Sequence, residues 1–353
     1  MSEIAPQEGH DDLDEVSPPS ATLRLRGRSA EWHELQQAFE GGRMHHAWLM
    51  QGPNGIGKAT TAFAFARMVL GGPSTLRGGS DTEPMFDPEH PAVRQIAQGS
   101  HPNLIHLSRP RVDRGDGFKT QITVDEIRRL NQFFRATAGG GWRIAIIDPA
   151  DDLNRSAANA LLKTLEEPPE RSLFLIANHT PGRLLPTIRS RCRVLRFEPL
   201  ASDVIAEALT DLQPSAGAEG IRTAVAMSGG SLRDALLMLT NGGLEVGAQA
   251  DRLYAAPRPD WSAIQSTLDA LLQKGREAAW ALLLEALLGK VSAEARGRVE
   301  RGDVAGAEIM ARLWQTEAAR WREATAFNLD RKQMMLTFFA RLYAARAEFG
   351  GER

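Results

Sequence analysis

The segment Gly52-Pro53-Asn54-Gly55-Ile56-Gly57-Lys58 has the spacing G-x-x-x-x-G-K. Glycines at these positions let backbone N–H groups turn toward phosphate oxygens, and a lysine opening the following helix reaches the β- and γ-phosphates. The chemistry this suggests is binding of ATP or ADP. The next position normally supplies a hydroxyl to Mg²⁺, but here it is Ala59. Thr60 follows, yet one step along a helix turns a side chain by about 100°, so its hydroxyl is a poor substitute. A second acidic element is altered too. Arg143–Asp148 (RIAIID) reads as a buried strand ending in a carboxylate, where Asp148 would hold a metal's water shell. The residue after it is Pro149, which has no acid–base group to polarise water. Asp151 and Asp152 read as helix-capping and solvated carboxylates. The expectation is a nucleotide site at Gly52, Asn54, Gly55, Gly57, Lys58, Ala59, Thr60 and Asp148, with Mg²⁺-assisted hydrolysis weak or absent.

These residues need a sheet and helices to position them, and the apolar pattern supplies both. Trp32, Leu35 and Phe39 recur at helical spacing over Ala30–Glu40. A short apolar strand, His46–Met50, runs into the glycine-rich turn, and a helix continues to about Leu70. Residues 71–118 are rich in Gly, Pro, Asp and His, with a weak helical pattern around Ala92–Ala97, and read as an insertion. A helix is predicted over Val124–Thr137, a strand over Arg143–Asp148 and a helix over Ser156–Leu165. Strands follow at Ser172–Ala177 and Arg193–Phe197. Apolar strands alternating with helices predict a parallel α/β sheet covered on both faces. Beyond about Leu200 only helical periodicity remains. The fold class is therefore α/β plus all-α, in three parts: an α/β nucleotide-binding domain over 23–199, a small helical domain over 200–243 and a larger helical domain over 250–349. In the last, Ala281, Leu284, Leu287 and Leu288 are helical core or subunit interface.

Composition narrows the function classes. At 353 residues the chain is long enough for two or three domains. With 42 Lys and Arg against 44 Asp and Glu, a basic nucleic-acid coat is excluded. The single cysteine, Cys192, excludes an internal disulfide and any Cys-rich zinc site, and a cytoplasmic setting fits this best. No apolar run approaches the roughly 20 residues of a membrane span, so no membrane association is expected. The first 20 residues hold six acidic and no basic residues and read as a solvated, disordered leader, 1–22.

Seven segments in this order resemble the clamp-loader branch of the AAA+ ATPases. They are GRMHHAWL from Gly42, the phosphate loop, VDEIR from Val124, IDPAD from Ile147, NALLKTLEEPP from Asn159, TIRSRC from Thr187 and GSLRDA from Gly230. The resemblance covers most of residues 23–240. It implies an AAA+ P-loop domain, a helical lid and a C-terminal helical collar for oligomerisation. It implies that Arg191, in Ser190-Arg191-Cys192, points across a subunit boundary at a neighbour's γ-phosphate as an arginine finger. It places Asn178 at the sensor-1 position and Arg233 at the sensor-2 position, both toward nucleotide. It implies as partners the gamma/tau motor subunits and the delta subunit of a clamp loader, with the sliding clamp and primer–template DNA in the assembly. Loader subunits commonly carry a four-cysteine zinc module where 71–118 lies here. This chain has no cysteine there, and His90, His101 and His106 read as loop residues, so no zinc is expected. Ala59 and Pro149 with a retained Arg191 imply a stator, with an active motor subunit as the alternative.

Overall fold

In the computed structural model the described residues are 9–13, 16–79, 83–112, 117–135, 141–180, 182, 184–240, 242–273, 276–327 and 329–350. The expectations for 1–8, 14–15 and the end of the 124–137 helix lie outside them. The chain divides into two compact units, Met1–Leu212 with Gly229–Arg233, and Gln213–Ser228 with Asp234–Arg353. Among the described residues, no helix is long and apolar enough to cross a membrane.

In the first unit the strands are β1 (Ala47–Gln51), β2 (Leu76–Gly79), β3 (Pro84–Phe86), β4 (Leu104–Leu107), β5 (Arg143–Ile147), β6 (Ser172–Asn178) and β7 (Arg193–Arg196). The helices are α1 (Ser29–Glu40), α2 (Lys58–Gly71), α3 (Pro91–Ala97), α4 (Val124–Arg135), α5 (Arg155–Glu166), α6 (Pro186–Arg189) and α7 (Ser202–Leu212). Five strands form a sheet in the order β4-β5-β6-β1-β7. Every pairing in it is parallel, with Trp48 opposite Leu175 on one side and Arg193 on the other. Successive side chains point to opposite faces. Trp48, Met50, Ile144, Ile146, Leu173 and Leu175 accordingly join the core beneath α1, α2 and α3. Ala47, Leu49, Ala145, Ile147, Phe174 and Ile176 join the other core, beneath α4 and α5. Apolar on both faces, these strands lack the alternation of a half-exposed sheet, as expected.

Two expectations need correction. Residues 71–118 are not all insertion, because Leu104–Leu107 is the edge strand of the sheet, paired with Leu104 opposite Ile144. A four-residue edge strand with one face half-open carries too short a pattern to stand out among prolines and glycines. The antiparallel β2–β3 ribbon and α3 lie in the same stretch. Nor is the leader simply solvated. Its residues 9–13 and 16–22 lie against the first unit, with Ser20 and Thr22 carbonyls accepting from the buried Arg67 guanidinium.

The second unit is helical: α8 (Gly217–Met227), most of α9 (Leu232–Leu239), α10 (Gly243–Ala255), α11 (Trp261–Leu271), α12 (Glu277–Glu300), α13 (Val304–Phe327) and α14 (Arg331–Gly350). Leu283, Leu287 and Val291 of α12 are fully buried with Met310, Phe338 and Phe339. Leu287 is therefore core, Leu284 and Leu288 are partly buried against it, and Ala281 is exposed.

Candidate nucleotide site and the Arg191 edge

The C-terminal ends of β1, β5 and β6 converge on one edge of the sheet, where open α/β sheets bind ligands. They deliver the loop 52–58, Asp148 and Asn178. The loop is held from several sides. Gly55 has φ +73°, and a Cβ there would sit 2.3 Å from Ser231 Oγ and 2.4 Å from Arg233 Cβ. Only glycine permits that approach. Arg233 donates its backbone N–H to the Gly55 carbonyl at 3.3 Å. Gly57 caps α2 with φ +96°. A Cβ on Gly52 would meet the Phe197 carbonyl at 2.3 Å. Asn54 Oδ1 accepts from the Gly55 N–H at 2.9 Å and is exposed. Beneath the loop the buried Arg28 guanidinium donates to the carbonyls of Ile56 and Glu198, each at 2.8 Å, and pairs with Glu31 at 3.0 Å.

Lys58 is turned inward. Its ammonium donates to the loop's own carbonyls, Gly52 at 2.8 Å and Pro53. Burial pushes it down to about 8, against the pull of Asp148 and Asp151. Ala59 and Thr60 occupy the first turn of α2, both partly buried. The hydroxyl that bonds in this turn belongs to Thr61, which donates to the Gly57 carbonyl at 2.9 Å.

The three neighbouring aspartates do different work. Asp148 is pushed up to about 7, first by burial and then by the Asp11 carboxylate, while Lys58 pulls the other way. Pro149 follows through a cis peptide bond. Asp151 accepts from Asn178 Nδ2 at 3.1 Å and from the backbone N–H groups of His179 and Thr180 at 2.7 and 2.8 Å. It is not a solvated carboxylate but the staple of the loop after β6. Asp152 is buried and takes a two-pronged contact from Arg109, 2.6 Å on each oxygen. Asn178 is fully buried, its Oδ1 accepting from Gln51 Nε2 at 3.0 Å. Arg233 donates to the Asp11 carbonyl and lies 3.9 Å from the Asp11 carboxylate. The sequence reading missed Arg28, Gln51, Ser231 and the staple role of Asp151. Their signal was proximity in space, which no spacing along the chain reports.

Arg191 stands elsewhere. It precedes β7, and because β7 runs parallel to β1, it lies at the opposite edge of the sheet from the phosphate loop. At about 3.3 Å per residue, the length of β7 separates it from that loop by more than a side chain's reach. It is partly exposed, pairs with Glu166 Oε1 at 2.6 Å and donates to the Thr187 carbonyl at 2.9 Å. Burial pushes the adjacent Cys192 thiol up to about 12, so it is not a reactive thiolate at neutral pH.

The histidines considered for metal have local partners. His90 Nδ1 accepts from the Ala92 N–H, His101 Nδ1 accepts from the Asn103 N–H, and His106 meets the Phe63 ring edge-on. Among the described residues, no group of three or more His, Cys, Asp or Glu side chains is placed to hold a metal ion.

A family model described as "DNA polymerase III, delta subunit" matches residues 27–201. The delta' subunit of Pseudomonas aeruginosa DNA polymerase III is 36% identical over 204 residues, covering 57% of this chain and 58% of that protein. The Escherichia coli delta' subunit is 28% identical over 243 residues, covering 68% of each. The Escherichia coli tau subunit is 31% identical over 267 residues, covering 72% of this chain and 38% of tau. The chain thus spans less than two thirds of the Pseudomonas protein's length. A gamma subunit-related protein from Thermotoga maritima shares 14% identity over 89% of this chain and 99% of its own, with a TM-score of 0.42. The fold assignment therefore rests on the parallel sheet order and the loop. Taken with the ordered motifs, the family and relative matches place residues 27–201 in the DNA polymerase III delta' family.

Proposed function

We propose that the chain is the stator of a replicative clamp loader, helping load the sliding clamp onto primed DNA in the cytoplasm. In this reading it joins gamma/tau motor subunits and a delta subunit, and lends Arg191 to the ATP site of the adjoining motor. The observation that carries it is the contrast between the sheet's two edges. At the loop edge, Ala59 and Pro149 replace the groups that hold Mg²⁺ and polarise water, and Lys58 is satisfied by its own loop. At the other edge, Arg191 is out of reach of that loop and accessible to a neighbour. A guanidinium aimed at a transferring phosphoryl group stabilises the charge that builds up on its oxygens. Any ATP or ADP held by Lys58, Asn178 and Arg233 would then serve structure rather than turnover. The test is a loader reconstituted with Arg191→Ala. It should assemble but lose single-turnover hydrolysis at the adjoining site when the other sites are disabled. An unchanged rate there refutes the reading.

The similarity to tau favours a second reading, an active motor subunit. Steady-state phosphate release by the chain alone separates the two. Robust turnover abolished by Lys58→Ala supports the motor.

A further inference from the structure

The acidic leader is placed where a nucleotide's charge would sit, and a buried cation anchors it there. Arg67, on α2, is fully buried, with its guanidinium over the Phe86 ring at 5.2 Å. Both of its hydrogen bonds among the described residues go to leader carbonyls, those of Ser20 and Thr22. A buried guanidinium without acceptors is strongly destabilising, so these carbonyls are part of how α2 tolerates Arg67. The Thr22 hydroxyl closes the turn by donating to the Pro18 carbonyl at 3.0 Å.

From this anchor the leader reaches the loop edge. Pro18, Pro19 and Ser20 line a cavity together with Phe63 and Ile96, and Asp11 and Asp148 border the same cavity. Beyond it, Arg233 donates to the Asp11 carbonyl, and the Asp11 carboxylate lies 3.9 Å from that guanidinium. The Asp11 charge is close enough to raise the Asp148 carboxyl. His10 sits 3.7 Å from Asp152 and meets the Phe118 ring edge-on at 6.2 Å. The leader carries six acidic and no basic residues in its first 20. An anion here engages Arg233 and faces Asp148, as a nucleotide's phosphates would.

We propose that the segment Gly9–Leu13 is a built-in occupant of the chain's own nucleotide site, with Asp11 taking the place of a phosphate against Arg233. Nucleotide and leader exclude one another, and ATP binds when the segment is displaced. This adds to the loss of the Mg²⁺ hydroxyl a second device that keeps the site quiet. It is independent of Arg191, which acts at the other edge of the sheet.

The experiment titrates ATP into three full-length proteins: the natural sequence, Asp11→Lys, which repels Arg233, and Glu300→Lys as a control for net charge. Hydrogen exchange of the Gly9–Leu13 amides is followed in the same samples. Asp11→Lys should tighten ATP binding about tenfold, the factor expected if the docked leader leaves one molecule in ten open. Glu300→Lys should not. In the natural protein the leader amides should be protected, and saturating ATP should expose them. Equal affinity in all three proteins overturns the proposal. So does a leader that exchanges freely without ATP, or one that stays protected when ATP is bound. Absence of measurable ATP binding in all three overturns it as well, because the leader is then not what keeps nucleotide out.

Discussion

The two edges of one parallel sheet carry cations in opposite situations. At the loop edge Lys58 is 3% exposed and bonded to its own loop, and Arg233 is occupied by the leader. At the far edge Arg191 is 34% exposed, paired with Glu166 and donating to the Thr187 carbonyl. A buried, satisfied cation is expensive to move. A half-exposed pair is worth about 0–1 kcal/mol and rearranges readily. The difference teaches that sequence motifs for phosphate chemistry on one domain need not serve one site. The cations of the loop edge are satisfied within the chain, while the opposite edge keeps a partly exposed guanidinium in a surface pair.

The largest expected effect tests the far edge. Arg191→Ala in a reconstituted loader should lower single-turnover hydrolysis at the adjoining site by about 10³–10⁵-fold. Arg191→Lys should rescue little of it, because an ammonium lacks the planar fork that grips phosphoryl oxygens. Loss of less than tenfold in both would make the two edges equally inert.

At the loop edge the expected effects are on stability. Asp151→Ala strands the N–H groups of His179 and Thr180 and one donor of Asn178. Buried donors without acceptors cost about 1–3 kcal/mol each, so the urea midpoint should fall clearly. A midpoint unchanged from the natural protein would mean that the staple is replaced by water.

The site's pH response has a defined sign. Natively, Asp148 holds its proton up to about 7, whereas the unfolded chain releases it near 3.8. Folding therefore takes up a proton in that window, and stability falls as pH rises from about 4 to 7. Lys58 natively releases its proton above about 8, whereas the unfolded chain keeps it to 10.5. Its contribution rises from about 8 to 10.5. The two together put the site's minimum between pH 7 and 8, where both groups are charged. Asp148→Asn should remove the falling limb, by about 1–2 kcal/mol at pH 7.5 once partial solvation is allowed for. Unfolding curves at several pH values that keep the same slope in this variant would assign the limb to other groups.

The smallest effect concerns the tether. Glu166→Gln should change stability by less than about 1 kcal/mol. It should leave hydrolysis at the adjoining site within a few-fold of normal or slightly faster, because it frees Arg191. A large loss of rate would mean that Glu166 positions the guanidinium rather than storing it.

The elements follow from local pattern alone. Doubly apolar strands such as Ile144–Ile147 and Leu173–Ala177 can only be buried between helices, and the spacing 52–58 can only be a loop opening a helix. The missing chemistry is equally local, since Ala59 and Pro149 lack the required groups in any fold. Relations between distant segments arise only on folding. Leu104–Leu107 became a strand because the open edge of β5 accepts its backbone hydrogen bonds, which no local pattern records. Asp151 became a staple, and Arg28 a support for the loop, because their partners lie 27 to 170 residues away in the chain. Leu287 was settled as core and Ala281 as exposed by the packing of neighbouring helices. The leader's composition predicts solvation, since a charged segment with few and scattered apolar residues has no core of its own to form. It is docked because Arg67 and Arg233 donate to its backbone carbonyls, partners that are close in space rather than along the chain.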